Sequence, residues 1–175
     1  MTYLTKLASP LGPTHLASDG EAIVGLWLEG QKYFAAGLEA AEVREDLPIF
    51  RQAAEWLDAY FEKRALPSLP PLAPKGSAFR QRVWKQLLEI PFGQTATYGA
   101  LAQQLTSAGI PASPQAVGGA VGHNPISILI PCHRVVGTDG SLTGYVGGIE
   151  KKRFLLELEG VDLSRFYTPK RGTAL

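Results

Sequence analysis

Covalent chemistry is concentrated in one stretch of this chain, where the run Asn124-Pro125-Ile126-Ser127-Ile128-Leu129-Ile130-Pro131 leads into Cys132-His133-Arg134-Val135. A cysteine attacks as its thiolate, and a nearby imidazole or positive charge favours that form. A lone intracellular cysteine is more often an inert, buried thiol. His133 and Arg134 in the next two positions shift the balance toward a reactive Cys132. The apolar run reads as a buried strand, and neighbours on a strand point to opposite faces, so adjacency alone does not bring His133 onto the sulfur. Cys132 is the only cysteine and there are three histidines. This excludes an internal disulfide and leaves no tetrahedral zinc set at usable spacing, so neither a metal nor a cofactor is expected.

The elements that must hold this segment fall on either side of a proline-rich connector. Residues 65–75 carry four prolines in eleven positions, which cannot continue a helix or a central strand. The expected domains are therefore 1–75, including this linker, and 76–168, with a short tail at 169–175. Before the linker, Thr2 to Ala8, Thr14 to Ala17 and Ala22 to Leu28 are short runs separated by turn residues, and they predict a small antiparallel sheet. A helix from Pro48 to Lys63 follows, with an apolar stripe at Phe50, Ala53, Ala54, Leu57, Tyr60 and Phe61.

After the linker, Ser77 caps a helix whose apolar face is Phe79, Val83, Trp84, Leu87 and Leu88. Thr97 caps a second helix from Tyr98 to about Leu105, and Ser113-Pro114 opens a third near Gln115 to Val121. Two short helices joined by a turn suit a helix-turn-helix or a simple packing pair. Ala116, Gly118, Gly119 and Ala120 carry almost no side chain for reading base edges. Such a helix either approaches a nucleic acid closely or packs tightly on another helix. A last helix spans about Glu150 to Glu159 and stops at Gly160.

At 175 residues and 45% hydrophobic content, the chain can bury one good core or two small ones. No window holds the roughly 18 consecutive apolar residues of a membrane span, and the start Met-Thr-Tyr-Leu-Thr-Lys lacks the layout of a secretory signal. The expected location is intracellular, in the cytoplasm, with no membrane partner. The net charge of +1 hides an asymmetry. Residues 1–75 hold seven Lys/Arg against ten Asp/Glu, net −3, and the remainder holds ten against six, net +4. Only the second half has the sign expected of a surface that meets nucleic acid.

The segment Pro131-Cys132-His133-Arg134-Val135 resembles the active-site signature of the O6-alkylguanine-DNA alkyltransferases. The likeness continues through Phe79 to Trp84, Ile90-Pro91-Phe92-Gly93, Thr97-Tyr98, Ala116 to Ala120, Asn124-Pro125, Gly144-Tyr145, Gly147-Gly148 and Leu155 to Gly160. It covers nearly all of residues 76–160. Residues 1–75 match only loosely, through Ser9 to Gly12 and Gly25-Leu26-Trp27. The resemblance implies an α/β protein with a small ribonuclease H-like sheet-plus-helix domain and a mostly helical, winged-helix-like domain carrying the helix-turn-helix. It implies stoichiometric transfer of an alkyl group from guanine O6, and as a further candidate from thymine O4, onto Cys132. A monomer is implied, acting on double-stranded DNA through the minor groove with the damaged base flipped out.

Roles follow residue by residue from the same resemblance. Cys132 is the attacking thiolate, His133 its base through a bridging water, Glu159 the group orienting His133, and Asn124 a hydrogen-bonding member of the network. Tyr98 assists base rotation and donates to the leaving guanine, while Tyr145 and Gly147 shape the pocket wall. The Val146 amide bonds O6, and the Cys132 and Val135 carbonyls accept from the guanine amino group. Gln115, Ala116, Gly118 and Arg134 are expected at the DNA, with Arg80, Arg82 and Lys85 as further positive contributors. Two other readings use the same residues. One is a lesion-binding module with weak or no transfer, and the other is a cysteine hydrolase that turns over on an acyl substrate.

The pattern departs from the family at Gln115, where relatives usually insert an arginine into the gap left by the flipped base. Glutamine lacks the fixed charge and planar stacking face of guanidinium. Gln115→Arg is expected to capture the extrahelical base more firmly and to repair duplex DNA faster in a single turnover; an unchanged rate and affinity would dismiss the idea.

Overall fold

The computed structural model describes residues 1–35, 38 and 40–169 of the chain. Of the tail expected at 169–175, all but Pro169 lies outside the described residues. The chain divides into two compact units: Met1–Lys75 with Pro125–Leu129, and Gly76–Asn124 with the residues from Ile130 onward.

In the first unit, the alternating runs form β1 (Thr2–Leu7), β2 (Thr14–Ser18) and β3 (Ile23–Leu28), joined as antiparallel neighbours with a register shift at Ala17/Ser18. A fourth strand, β4 (Ala41–Val43), pairs parallel to β1, giving the order β3-β2-β1-β4. The sheet is therefore mixed rather than purely antiparallel. β4 has three residues, all exposed, so it carries no hydrophobic alternation to announce it.

The helix α1 (Pro48–Phe61) begins with proline in its first turn and buries Phe50, Ala53, Trp56, Leu57 and Tyr60. Trp56 and Tyr60, one turn apart, stack at 5.3 Å. The outer edge of β3 is covered rather than left open. Ile23 donates to the Pro71 carbonyl and accepts from Ala73, and Leu26 does the same with Pro125 and Ser127. The proline-rich linker is thus an extended segment laid along the sheet edge.

The run from Ile126 to Pro131 is not the buried strand expected from its composition. It pairs with β3 only at the bridge Leu26–Ile126, and Ile128 then takes a left-handed φ of 69°. A β-branched residue is strained there, and the reversal, with prolines at 125 and 131, prevents a continuous ladder. The segment is nevertheless buried from Ile126 to Ile130.

The second unit is mostly helical. α2 (Ala78–Leu88) starts at Ser77, whose hydroxyl accepts from the Arg80 amide; α3 (Tyr98–Ser107) is capped likewise by Thr97, and α4 (Pro114–Gly122) by Ser113. α3 and α4 with the turn between them form the helix-turn-helix. Val83, Trp84, Leu87, Leu101, Leu105, Val117, Ala120 and Val121 make its core, and the Trp84 indole donates to the Ala120 carbonyl at 2.8 Å. Leu88, expected on the buried face of α2, is 43% exposed at the last position of the helix. Ala120, expected on the bare face of α4, belongs to the core.

Two short parallel strands, β5 (Ala96–Thr97) and β6 (Val135–Val136), bring the start of α3 beside the residues that follow Cys132. α5 (Ile149–Leu158) closes the unit and ends at Gly160 in a left-handed conformation.

Candidate active site

Cys132, His133 and Arg134 form a single turn of 3-10 helix, closed by amides of Arg134 and Val135 donating to the carbonyls of Pro131 and Cys132. This corrects the strand geometry expected from the sequence and explains how neighbouring side chains act together. A turn at i→i+3 brings both His133 and Arg134 to one acceptor, which a strand would not. That acceptor is Glu159, the residue capping the C-terminal end of α5.

The Glu159 carboxylate has no exposed surface and receives four donors. His133 Nε2 lies 2.5 Å from Oε2, Arg134 Nε is 2.8 Å from Oε1, Arg134 Nη2 is 3.2 Å from Oε2, and the Gly93 amide donates to Oε1 at 2.9 Å. Burial alone would raise the Glu159 pKa, but the hydrogen bonds and charges of His133 and Arg134 outweigh it and hold the group at about 2. An ionised carboxylate only accepts, so His133 Nε2 must carry the proton and Nδ1 is the basic nitrogen. Burial keeps the imidazole neutral by lowering its pKa, against the opposing pull of Glu159.

Arg134 corrects the expectation of a DNA contact. It is buried, its Nη1 donates to the Ile90 carbonyl at 2.7 Å, and its remaining donors are directed at Glu159. A guanidinium committed in this way presents no fork to a phosphate.

Cys132 is 1% exposed. Burial raises its pKa, while a hydrogen bond from Asn124, the charge of Lys152 and the amides of Cys132 and His133 act in the opposite direction. Asn124 also donates through Nδ2 to the Ile130 carbonyl at 2.9 Å, and its own amide donates to Val121. One side chain thereby ties the end of α4 to the approach to the nucleophile.

The remaining predicted residues lie on α3, α4 and the loop before α5. The Tyr98 hydroxyl, at the start of α3, donates to Thr143 or Gly144 at 3.1 and 3.3 Å, and burial pushes its pKa well above the ordinary phenol value. Tyr145 is buried with its ring 6.5 Å from that of His133, in an edge-on arrangement. Val146 and Gly147 are half-buried in the loop leading to α5. Gln115 and Ala116 are exposed on the first turn of α4, and Gly118 is half-buried. A Cβ added at Gly119 would meet nothing within 4 Å, and one at Gly118 only the Tyr98 ring at 3.9 Å. Close helix packing therefore does not account for these glycines; they leave the α4 face bare.

Lys152 was not legible as a site residue. It is fully buried, and its ammonium donates to the Val135 carbonyl at 2.5 Å and to Thr143 at 2.8 Å. The signal was present in its spacing, since position 152 lies on the stripe shared with Ile149, Leu155 and Leu156, where a charge is costly.

The same unit thus carries a helix-turn-helix and a buried cysteine followed by an imidazole bound to a carboxylate, an arrangement that suits sulfur chemistry on a fold of nucleic-acid-binding type. Residues 78–161 match the DNA-binding domain of 6-O-methylguanine DNA methyltransferase, and residues 2–74 match the ribonuclease-like domain of the same family. The chain is 43% identical over 161 residues to the methylated-DNA--protein-cysteine methyltransferase of Haemophilus influenzae, covering 91% of this chain and 87% of the relative. Among solved structures, Mycobacterium tuberculosis OGT in complex with DNA is 41% identical with a TM-score of 0.80, covering 94% of each chain. An O6-methylguanine DNA methyltransferase from Methanococcus jannaschii is 28% identical with a TM-score of 0.65, over 90% of this chain and 94% of that one. The chain belongs to the 6-O-methylguanine DNA methyltransferase family.

Because the folded Glu159 pKa lies below its unfolded value, the network stabilises the fold fully above about pH 4.5 and loses that contribution as pH falls toward 2. Glu159→Gln, which leaves Arg134 buried without its counter-charge, is expected to cost about 3–5 kcal/mol at pH 7. Urea denaturation of both chains should show that gap narrowing as the pH drops below 4.5.

Proposed function

We infer that this chain is a methylated-DNA--protein-cysteine methyltransferase, which repairs alkylated DNA by moving the alkyl group from guanine O6 onto its own Cys132. The observation that carries this reading is the Cys132 turn itself, with His133 fixed by Glu159, in a chain 43% identical to a methyltransferase of that name.

In the proposed reaction, His133 Nδ1 takes the thiol proton through a bridging water, and Glu159 stabilises the imidazolium that forms. The thiolate attacks the alkyl carbon in line with the bond to O6. O6 within a stacked base pair is closed to such an approach, so the base leaves the duplex, at a cost of a few kcal/mol that is smaller for a badly pairing lesion. Tyr98, which keeps its proton at neutral pH, donates to the departing guanine. The Val146 amide bonds O6, and the Cys132 carbonyl, with the second lone pair of the Val135 carbonyl, accepts from the amino group. Tyr145 and Gly147 form the pocket wall. The product is a thioether with a poor leaving group and no acyl carbon, so water does not regenerate the thiol, and each molecule acts once.

DNA is proposed to meet α4 from the minor groove. The bare face at Gly118 and Gly119 supports close approach with little reading of base edges, leaving affinity to phosphate contacts. Arg82 and Lys85 on α2 are exposed and suit that role. Gln115 is placed to fill the gap left by the base, and the protein acts as a monomer.

Incubation with duplex DNA carrying one O6-methylguanine, followed by intact-protein and peptide mass spectrometry, should show one methyl increment on the Cys132 peptide in stoichiometric yield. Cys132→Ser should show none. Bound lesion DNA with unmodified protein would instead assign the chain to lesion binding without transfer.

A further inference from the structure

Phe92 stands at the corner of a tight turn after α2, where it is 44% exposed. The Gln94 amide closes that turn on the Pro91 carbonyl at 3.0 Å, and Gly93, at the third position, has the positive φ that a type II turn requires. A side chain at such a corner can point into solvent. The Phe92 ring instead lies over the Arg134 guanidinium, with Cζ 5.8 Å from the ring centroid, within the range of a cation–π contact.

The residues flanking Phe92 hold the same ion pair. Ile90 offers its carbonyl to Arg134 Nη1 at 2.7 Å, and the Gly93 amide donates to Glu159 Oε1 at 2.9 Å. One short loop thus meets the pair with a carbonyl, a ring face and an amide. Residues 90–95 carry no charged side chain, so the loop adds no ion of its own. The ring also sits where the network comes nearest to water. The side chains of His133 and Glu159 have no exposed surface, whereas that of Arg134 is 9% exposed.

Arg134 and His133 share one carboxylate. A guanidinium held on Glu159 compensates that charge, so less of it bears on the imidazole, and the guanidinium itself opposes a second positive charge on His133. Of the other titratable groups around His133, α5 supplies Lys152, which also opposes that charge. The loop before α5 supplies Tyr145, edge-on to the imidazole, and Cys132 precedes His133 in the turn. Among the described residues, Arg80, Arg82, Lys85 and Glu89 of α2 and its cap make no ion pair with the turn. Arg134 is the group that the Phe92 ring covers.

We propose that Phe92 is a positioning residue for alkyl transfer: its ring holds the Arg134 guanidinium on Glu159 and shields the pair from water, which leaves His133 as the base for Cys132. The inference rests on Cys132 being the nucleophile and His133 its base, as proposed above. Loss of the ring admits water to the guanidinium, and the attraction between Arg134 and Glu159 weakens as the local dielectric rises. More of the carboxylate charge then falls on His133, and the imidazole holds its proton to higher pH.

The test is single-turnover methyl transfer from an O6-methylguanine duplex between pH 5 and 8, in the native sequence, Phe92→Ala and Phe92→Tyr. Phe92→Ala is expected to raise the acid-side midpoint of the rate by about half a unit, a roughly threefold loss of rate below it, with duplex affinity unchanged. Phe92→Tyr keeps the ring face and should retain the native profile. A role in stability alone would leave the midpoint of the folded protein in place, so an unmoved midpoint in Phe92→Ala overturns the proposal, as does an equal shift in Phe92→Tyr. A second readout needs no DNA: the His133 ring nitrogens can be titrated by NMR in the same chains. A higher midpoint in Phe92→Ala supports the role of the ring, and equal midpoints overturn it. Failure of the native chain to transfer would sink the repair reading, while the His133 titration would still decide what the ring does.

Discussion

The site depends on keeping one carboxylate ionised inside the protein. Glu159 sits where a helix ends, the position at which the helix dipole disfavours negative charge, and it is sealed from solvent. It survives there because four donors converge on it: the His133 imidazole, two nitrogens of the Arg134 guanidinium and the Gly93 amide. Each donor is fixed in turn. The 3-10 turn delivers His133 and Arg134 together, and the Ile90 carbonyl anchors the far side of Arg134. Gly93 adopts a left-handed φ of 80°, and a Cβ there would come within 3.0 Å of the Glu159 carbonyl. The network therefore joins the loop after α2, the Cys132 turn and the end of α5, and it sets which nitrogen of His133 carries the proton.

A second connection runs from the helix-turn-helix to the sulfur. Asn124 follows α4, holds the Ile130 carbonyl and bonds Cys132, so the helix proposed to meet DNA and the atom proposed to react share one side chain. Tyr98 makes the corresponding link from α3 to the pocket loop through Thr143 and Gly144. The helices proposed to meet DNA and the residues proposed to react are thereby joined by direct side-chain bonds, an arrangement that suits a preorganised site.

Much of this was legible in the sequence because its signals are local. Ser77, Thr97 and Ser113 each cap a helix by a side-chain bond to the third residue onward, a pattern written in adjacent letters. The proline-rich linker and α1 were equally open to reading. What escaped depends on tertiary context. The run Ile126 to Pro131 has strand composition, but Ile128 reverses the backbone and the ladder stops after one bridge. Arg134 reads as a surface cation beside a nucleophile, yet its charge is spent inside on Glu159. Lys152 reads as one more lysine in a basic stretch. Only its place on the apolar stripe of α5 marks it as buried, and only the fold shows the carbonyls that hold it.

The central claim is that an imidazole oriented by Glu159 activates Cys132. The most direct measurement is the single-turnover rate of methyl transfer from an O6-methylguanine duplex by His133→Gln, alongside the binding of the same duplex. Glutamine can still donate to Glu159, so the Arg134 pair stays compensated while the base is removed. The account predicts a rate about 10²- to 10⁴-fold lower with unchanged DNA affinity. Equal rates in the two chains would contradict it.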